Sequence, residues 1–292
     1  YPEGHILKDA AEIKKSVKIP VIGVGRMHDP YLIDMVLEEG LVDAVSVGRQ
    51  AIADPFFPNK LKTGNTDEIC PCISCLQGCV GRVNDPRYLG VNCLVNPFAG
   101  REAEWKITPA EHKKNIVVVG AGAGGMEFSR IAAMRGHEVV LFEKSDRVGG
   151  LALLAAMPPH KQKISEAIRY WETSCRRKGV DIRLNTEATV ELIKNEKPDA
   201  VVLANGAHSV HPPFKGLDKN NAVDSYDVLA GKVDVGFRTI VIGGGLVGCE
   251  MTTYLLNQGH DVAIVEMKPE LVPEMELWEK WTVQDTLAQI EE

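Results

Sequence analysis

Four cysteines fall as Cys72-x2-Cys75-x3-Cys79-x13-Cys93. Thiolates at such spacings are metal ligands before they are anything else. A 4Fe–4S cube needs four thiolates converging on one volume, and short irregular loops supply them. Structural zinc also takes four cysteines, but usually as two CxxC knuckles. Here only Cys72 and Cys75 make a CxxC, and the x3 step to Cys79 departs from that pattern. Cys70 adds a fifth thiol, so a set of Cys70, Cys72, Cys75 and Cys79 stays open beside the set that uses Cys93.

The second chemical pattern is Gly120-x-Gly122-x-x-Gly125, which follows a run of valines. In such a loop the first glycine permits a tight turn, the second lets a pyrophosphate approach the backbone, and the third lets helix pack on strand. The phosphates then meet the free N–H groups of a helix N-terminus. Glu143 closes the next expected strand, where a carboxylate can accept hydrogen bonds from a ribose diol. The pattern returns 123 residues on, as Gly243-x-Gly245-x-x-Gly248 with Glu266. Glu127, Gly136, His137 and Val139 also have identical counterparts at that offset, Glu250, Gly259, His260 and Val262. Eight identities at one offset mark an internal duplication of a βαβ unit. A carboxylate at Glu266 repels a 2′-phosphate and no arginine follows closely, which favours NADH over NADPH; Lys268 nearby tempers that preference.

A third group is Gly25-Arg26 and Gly48-Arg49, each pair placed just after a short apolar run. Backbone amides of Gly25, Arg26 and Gly48, with the Arg49 guanidinium, have the chemistry to clamp a phosphate. Two ordinary turns with surface arginines would read the same way.

The elements that must position these residues follow from periodicity. Ile19–Val24 and Asp43–Val47 read as short buried strands, with a helix from Pro30 to Glu39 between them, capped by Asp29. Residues 54–68 read as a connector rich in proline and polar residues. The cysteine segment has too little apolar periodicity to fold alone and is expected to be held by what it binds. Strands are expected at 116–119 and 138–142, with a helix over 126–135 between them. Further strands are expected in the segments DIRLN and DAVVLANGA. The fold class is therefore α/β. The expected domains are 1–66, 67–112, 113–235 and 236–292.

Composition bounds the function. The chain has 292 residues, 45% hydrophobic and 25% charged, with a net charge of −7. That balance disfavours a nucleic-acid partner, which needs a basic face. No apolar run approaches the roughly 20 residues that span a bilayer. Five of the seven cysteines lie between Cys70 and Cys93, and no signal segment opens the chain, which points to a reducing, cytoplasmic setting. The chain opens on Tyr1 and closes soon after the second copy's second strand, so it reads as a piece truncated at both ends. Cys175, Cys249, Trp278 and Trp281 read as packing residues. The eight histidines, His211 among them, have no metal-like partners at useful spacing. The charged stretch from Lys161 to Lys178 reads as a solvated helix face.

Taken as a set, the motifs carry a family resemblance. EKSDRVGG, which holds Gly149 and Gly150, and LANGA, which holds Gly206, look like FAD-domain elements of two-dinucleotide-binding flavoprotein reductases. Asn205 stands where threonine is usual. IPVIGVGR, DAVSVGRQAIADPFFPNK, CISCLQGC, CLVNP and VVVGAGAGG, in that order, resemble the iron–sulfur branch of the NADH:flavin oxidoreductase (old yellow enzyme) family. That branch contains 2,4-dienoyl-CoA reductase, 2-enoate reductase and trimethylamine dehydrogenase. The resemblance implies the end of an FMN-binding TIM barrel over 1–66, with Arg49 on the FMN phosphate. It implies a 4Fe–4S cluster on Cys72, Cys75, Cys79 and Cys93, and CLVNP is what favours Cys93 over Cys70. FAD at the first fingerprint and NADH at the second complete the set. The implied activity passes electrons from NADH through FAD and the cluster to FMN. It reduces the C=C bond of an enoate, enoyl-CoA or enone, a small unsaturated carbonyl compound. The catalytic residues are expected upstream of Tyr1, with the barrel's missing strands. A homo-oligomer stays open. Two other readings are an amine-dehydrogenase-type flavoprotein with a structural ADP site, and a non-catalytic electron-transfer or zinc-stabilised module.

Overall fold

The computed structural model describes residues 1–83, 90–210, 215–217, 221–273, 275 and 277–288. His211, Pro212, Pro213 and Asp218 lie outside the described residues, as does the side chain of Trp278. The chain divides into two units, Tyr1–Trp105 and Lys106–Glu292.

The first unit opens with α1 (Leu7–Ser16), β1 (Ile22–Gly23), α2 (Pro30–Glu38), β2 (Ala44–Val45), α3 (Gly48–Ala53) and α4 (Phe57–Lys62). Asp29 caps α2, its carboxylate accepting the Tyr31 N–H at 2.9 Å, and Pro30 occupies the first turn, where its missing N–H costs nothing. β1 and β2 pair in parallel, Ile22 against Ala44 and Gly23 against Val45. Leu7, Met27, Ile33, Val36, Val42 and Phe57 form the core beneath them.

Two expectations need correction here. The strands are only two residues each, and Ile19 and Ile22 are 72% and 60% exposed, because α1 and α2 cover one side of a two-stranded sheet and leave the other bare. Residues 54–68 are not a plain connector. Pro58 sits in the first turn of α4, where proline is tolerated, and a 3-10 turn follows at Thr66–Glu68.

Residues 69–79 have no strand or α-helix; a π-type turn runs from Gln77 to Gly81. Ser74 and Leu76 take φ of 56° and 59°, the left-handed region that side chains rarely adopt. Two such residues within three positions mark a strained loop.

The second unit runs β3 (Asn115–Val119), α5 (Ala123–Met134), β4 (Glu138–Phe142), α6 (Leu151–Ala155), α7 (Lys163–Arg177), β5 (Asp181–Arg183), α8 (Val190–Asn195) and β6 (Ala200–Leu203). It continues with α9 (Ser225–Leu229), β7 (Arg238–Ile242), α10 (Leu246–Asn257), β8 (Asp261–Val265) and α11 (Leu277–Ala288). One sheet has the order β5-β4-β3-β6, and all its neighbours are parallel. That is the doubly wound, Rossmann-like arrangement, with the glycine turn at the carboxyl end of a central strand. β7 and β8 form a separate parallel pair, in register from Arg238–Asp261 to Ile242–Val265.

α5 starts three residues before the expected helix, because the glycine loop itself forms its first turn. Both copies stop their first helix the same way. Gly136 and Gly259 take φ of 93° and 86°, and the amides of His137 and His260 reach back to the carbonyls of Ala132 and Leu255.

Trp281, expected in the core or at an interface, is 52% exposed, which excludes the core. α11 carries apolar residues on several sides, and only the stripe with Val283 and Leu287 packs against Cys249. Lys161 is not a solvated charge; it lies before α7 and pairs with Glu250 at 3.1 Å. Among the described residues, no helix is long and apolar enough to cross a membrane.

Candidate cofactor and cluster sites

In the first fingerprint, Gly120 turns with φ 99°, and its N–H donates to the Phe142 carbonyl at 2.8 Å. A Cβ on Gly125 would lie 1.9 Å from the Gly120 carbonyl oxygen, so only glycine lets α5 seat against the turn. Gly122 caps α5, and a Cβ there would meet nothing within 4 Å; that is the open side a pyrophosphate needs. Gly149 donates to the Ala121 carbonyl at 2.8 Å and bridges to Gly122, and a Cβ on Gly150 would touch the Gly122 Cα at 3.2 Å. Gly206 follows β6, with φ 78°, and the neighbouring Ala204 carbonyl closes on Gly120. Three separated glycine segments thus meet at one turn.

Glu143 is buried, and it does more than wait for a ribose. Oε2 accepts the Ala121 N–H at 2.8 Å; Oε1 accepts the Ser145 N–H at 2.9 Å and its hydroxyl at 2.6 Å. Burial pushes this carboxyl up, but the Ser145 hydroxyl and amide, the Ala121 amide and the Lys144 charge outweigh it and hold it below the ordinary value. It is therefore an anion that braces the glycine loop.

The second fingerprint repeats the device. Gly243 turns with φ 103°, and a Cβ on Gly248 would lie 1.8 Å from its carbonyl oxygen. Gly245 caps α10 with open space beside it. Glu266 accepts the Gly244 N–H at 2.6 Å and the Lys268 N–H at 2.7 Å, and these amides, Lys268 first, hold its carboxyl below the ordinary value. Val272 stands where Gly149 stands in the first copy, donating to the Gly244 carbonyl at 2.8 Å. A cavity of about 430 Å³ opens on this loop, lined among others by Gly243, Gly245, Gly248, Lys268 and Met275. That volume lies in the usual range for small-molecule sites.

In the first unit, the thiols of Cys72, Cys75, Cys79 and Cys93 come within electrostatic reach of one another. Burial pushes Cys72, Cys75 and Cys93 up, Cys75 to about 11, and the other thiols push the same way. Backbone amides oppose it: Ser74 on Cys72, Gln77 on Cys75, and Val95, Asn96 and Leu94 on Cys93. Cys72 is buried and Cys75, Cys79 and Cys93 are half-buried, so mutual repulsion would oppose ionising all four together unless positive charge lay between them. Cys70 points elsewhere, its Sγ donating to the Val95 carbonyl at 3.4 Å.

Two side chains in this region gave no signal of their own in the sequence. Gln50 is fully buried; its Nε2 donates to the Cys70 carbonyl and its Oε1 accepts the Cys72 N–H, both at 2.9 Å. Asp54 accepts the Cys70 N–H at 2.8 Å and pairs with Lys60 at 2.6 Å. A glutamine inside a short apolar run and an aspartate at its end are the signal that could have found them.

The loops after β1 and β2 leave the same ends of neighbouring parallel strands, which brings Gly25 and Arg26 to the same edge as Gly48 and Arg49. Gly25 and Arg26 take φ of 109° and 56°, and the Arg26 guanidinium donates to the Tyr1 carbonyl. Arg49 lies near enough to Cys72 to favour its thiolate. Cys175 and Cys249 are fully buried, and burial pushes Cys175 up to about 12, as for packed thiols.

Comparison with known proteins agrees with these parts. Residues 114–288 match the model of the pyridine nucleotide-disulphide oxidoreductases, and residues 3–68 that of the NADH:flavin oxidoreductase / NADH oxidase family. The chain is 45% identical to an NADH oxidase of Thermoanaerobacter brockii, over 94% of this chain and 43% of that protein. It is 39% identical to a cinnamate reductase of Clostridium sporogenes, over 89% of this chain and 38% of that protein. A solved 2-naphthoyl-CoA reductase superposes with a TM-score of 0.96 at 34% identity, covering all of this chain and 44% of that one. The chain thus spans less than half the length of these relatives. Both families imply flavin and NADH, and the relatives fit the old yellow enzyme branch that the motifs resemble. The chain belongs to the pyridine nucleotide-disulphide oxidoreductase family, joined to a segment of the NADH:flavin oxidoreductase family.

Proposed function

We propose that this chain is the electron-input part of an NADH-dependent reductase of an activated C=C bond, relaying electrons from NADH to FAD, to a 4Fe–4S cluster and to FMN. The observation that carries the reading is the four-thiol group with backbone amides turned toward the sulfurs of Cys72, Cys75 and Cys93. Hydrogen bonds of that kind tune iron–sulfur clusters. Among the described residues, no three ligand side chains close on a single metal ion.

Cys72, Cys75, Cys79 and Cys93 would hold the cluster. Gly120, Gly122, Gly125, Gly149, Gly150 and Gly206 would receive FAD, with Glu143 at its ribose. Gly243, Gly245, Gly248 and Glu266 would receive NADH, and the ionised Glu266 disfavours a 2′-phosphate. Arg49, with the turns at Gly25, Arg26 and Gly48, would face the FMN phosphate. When bound, these groups supply hydride acceptance from NADH and electron transfer one at a time, while the chain positions and tunes them. The substrate would be a small unsaturated carbonyl compound, chosen by residues outside this chain.

The test is iron and acid-labile sulfide per chain after anaerobic purification. About four of each supports the reading. Zinc without sulfide contradicts it and leaves a dinucleotide-binding flavoprotein with a structural metal.

A further inference from the structure

Cys70, Cys72 and Asn96 converge on one short helix. Gln50 lies within α3, and Asp54 is the extended residue that ends it. Between them they take three backbone groups at the start of the cysteine loop: the Cys70 N–H, the Cys70 carbonyl and the Cys72 N–H. The Gln50 carboxamide pairs with this segment as a neighbouring peptide group would in a sheet ladder. It is fully buried and has both ends satisfied. The other arm of the thiol group is tied to the same helix. Asn96 Nδ2 donates to the Ile52 carbonyl at 2.8 Å, and Asn96 Oδ1 accepts the Phe98 N–H at 3.0 Å. Asn96 also turns its own amide toward the Cys93 sulfur. α3 begins at Gly48 and Arg49, the turn assigned above to the FMN phosphate. One six-residue helix therefore touches the flavin turn and both arms of the thiol site.

We propose that Gln50 is a positioning residue for the cluster, acting with Asp54 and Asn96 to lock both ligand arms to α3, so that cluster retention and reduction potential depend on its carboxamide. Without the Gln50 oxygen, the buried Cys72 N–H loses its acceptor, and the segment that aims the Ser74 amide at the Cys72 sulfur loses its anchor. Fewer N–H donors on the sulfurs destabilise the reduced, more negative cluster, so the potential falls. The inference rests on the cluster reading of the preceding section.

The experiment compares wild type, Gln50→Met, Gln50→Glu and Asn96→Asp, all purified anaerobically. It reads iron and sulfide content, the midpoint potential from a redox titration followed by EPR, and the rate of iron loss to an Fe(II) chelator. Gln50→Met is expected to lose iron about 10–100-fold faster, the usual effect of removing a partner that orients metal ligands. Its potential is expected to be more negative than that of wild type. Gln50→Glu keeps an acceptor for the Cys72 N–H and is expected to retain more iron than Gln50→Met. Asn96→Asp keeps the Phe98 contact, loses the donor to Ile52 and sets a carboxylate oxygen against that carbonyl, so it should release iron faster than wild type. Wild-type release rate and potential in Gln50→Met overturn the inference. If Gln50→Met does not fold, a wild-type release rate in Asn96→Asp overturns it instead. A wild-type protein without iron and sulfide overturns the cluster reading and this inference together, whereas a loaded wild type with indifferent variants overturns only the inference.

Discussion

The two βαβ copies grip alike and are built on unequal foundations. In the first, Val117, Val118, Leu141 and Phe142 are at most 1% exposed, in a sheet of four strands. In the second, Ile240, Ile242 and Val265 are 65%, 53% and 56% exposed, on a pair of strands. Yet the turn glycine, the helix-seating glycine and the acid bracing the loop recur, with hydrogen-bond lengths that agree to within about 0.2 Å. The loop geometry is local: one strand pair, one helix and one carboxylate reproduce it in both copies.

The largest expected effect separates the two foundations. Leu141→Ala removes a fully buried side chain and should cost about 2–5 kcal/mol, whereas Ile242→Ala should cost under about 1 kcal/mol. Urea unfolding followed by circular dichroism measures both, and equal losses would break the comparison. Next come the helix-seating glycines. Gly125→Ala and Gly248→Ala each force a Cβ against a carbonyl, at a cost of about 1–3 kcal/mol. Gly125→Ala should lose FAD by flavin analysis. Gly248→Ala should keep its flavin but fail to be reduced by NADH, and identical phenotypes would contradict the assignment of one nucleotide to each copy.

A finer contrast lies two residues after each acid. Ser145 gives Glu143 both an N–H and a hydroxyl; Lys268 gives Glu266 its N–H. Ser145→Ala should therefore destabilise by about 1–2 kcal/mol, since it removes a hydroxyl donor to a carboxylate. Lys268→Ala keeps the amide and should stay within about 0.5 kcal/mol. Thermal melts distinguish them, and a larger loss at Lys268 would refute the contrast.

The smallest effect is on pH. Both acids have folded values below the ordinary 4.5, so each contributes stability above that value and loses it as pH falls through its lower folded value. Melting temperature should be flat in this contribution from pH 7 to about 5 and fall below that. Glu143→Gln should remove more of the acid-side slope than Glu266→Gln, whose carboxylate is only half-buried and, among the described residues, accepts no hydroxyl; the reverse order would contradict the bracing role given to Glu143.

The fingerprints were legible in the sequence because sterics allow little choice. A Cβ at Gly125 or Gly248 has nowhere to go, and the strand, helix and acid around each follow from ordinary periodicity. The Gly-His helix ends at 136–137 and 259–260 were visible as repeats for the same reason. What escaped was set by tertiary contact. β1 and β2 are shorter than their apolar runs because only two residues of each pair in register. α4 hid behind two prolines, one of which suits a first turn. The Lys161–Glu250 pair joins residues nearly ninety positions apart in a duplicated region, which no local pattern encodes. Gln50 carried no signal of its own, because its partners lie twenty and more positions away in the cysteine loop.

The central claim, that electrons from NADH reach the thiol site, is tested most directly by an anaerobic NADH titration followed at once by flavin absorbance and low-temperature EPR. The account predicts that the flavin bleaches and that the EPR signal of a reduced 4Fe–4S cluster grows with it. A flavin that bleaches fully while the cluster signal stays absent, in protein shown to contain iron and sulfide, would contradict the relay.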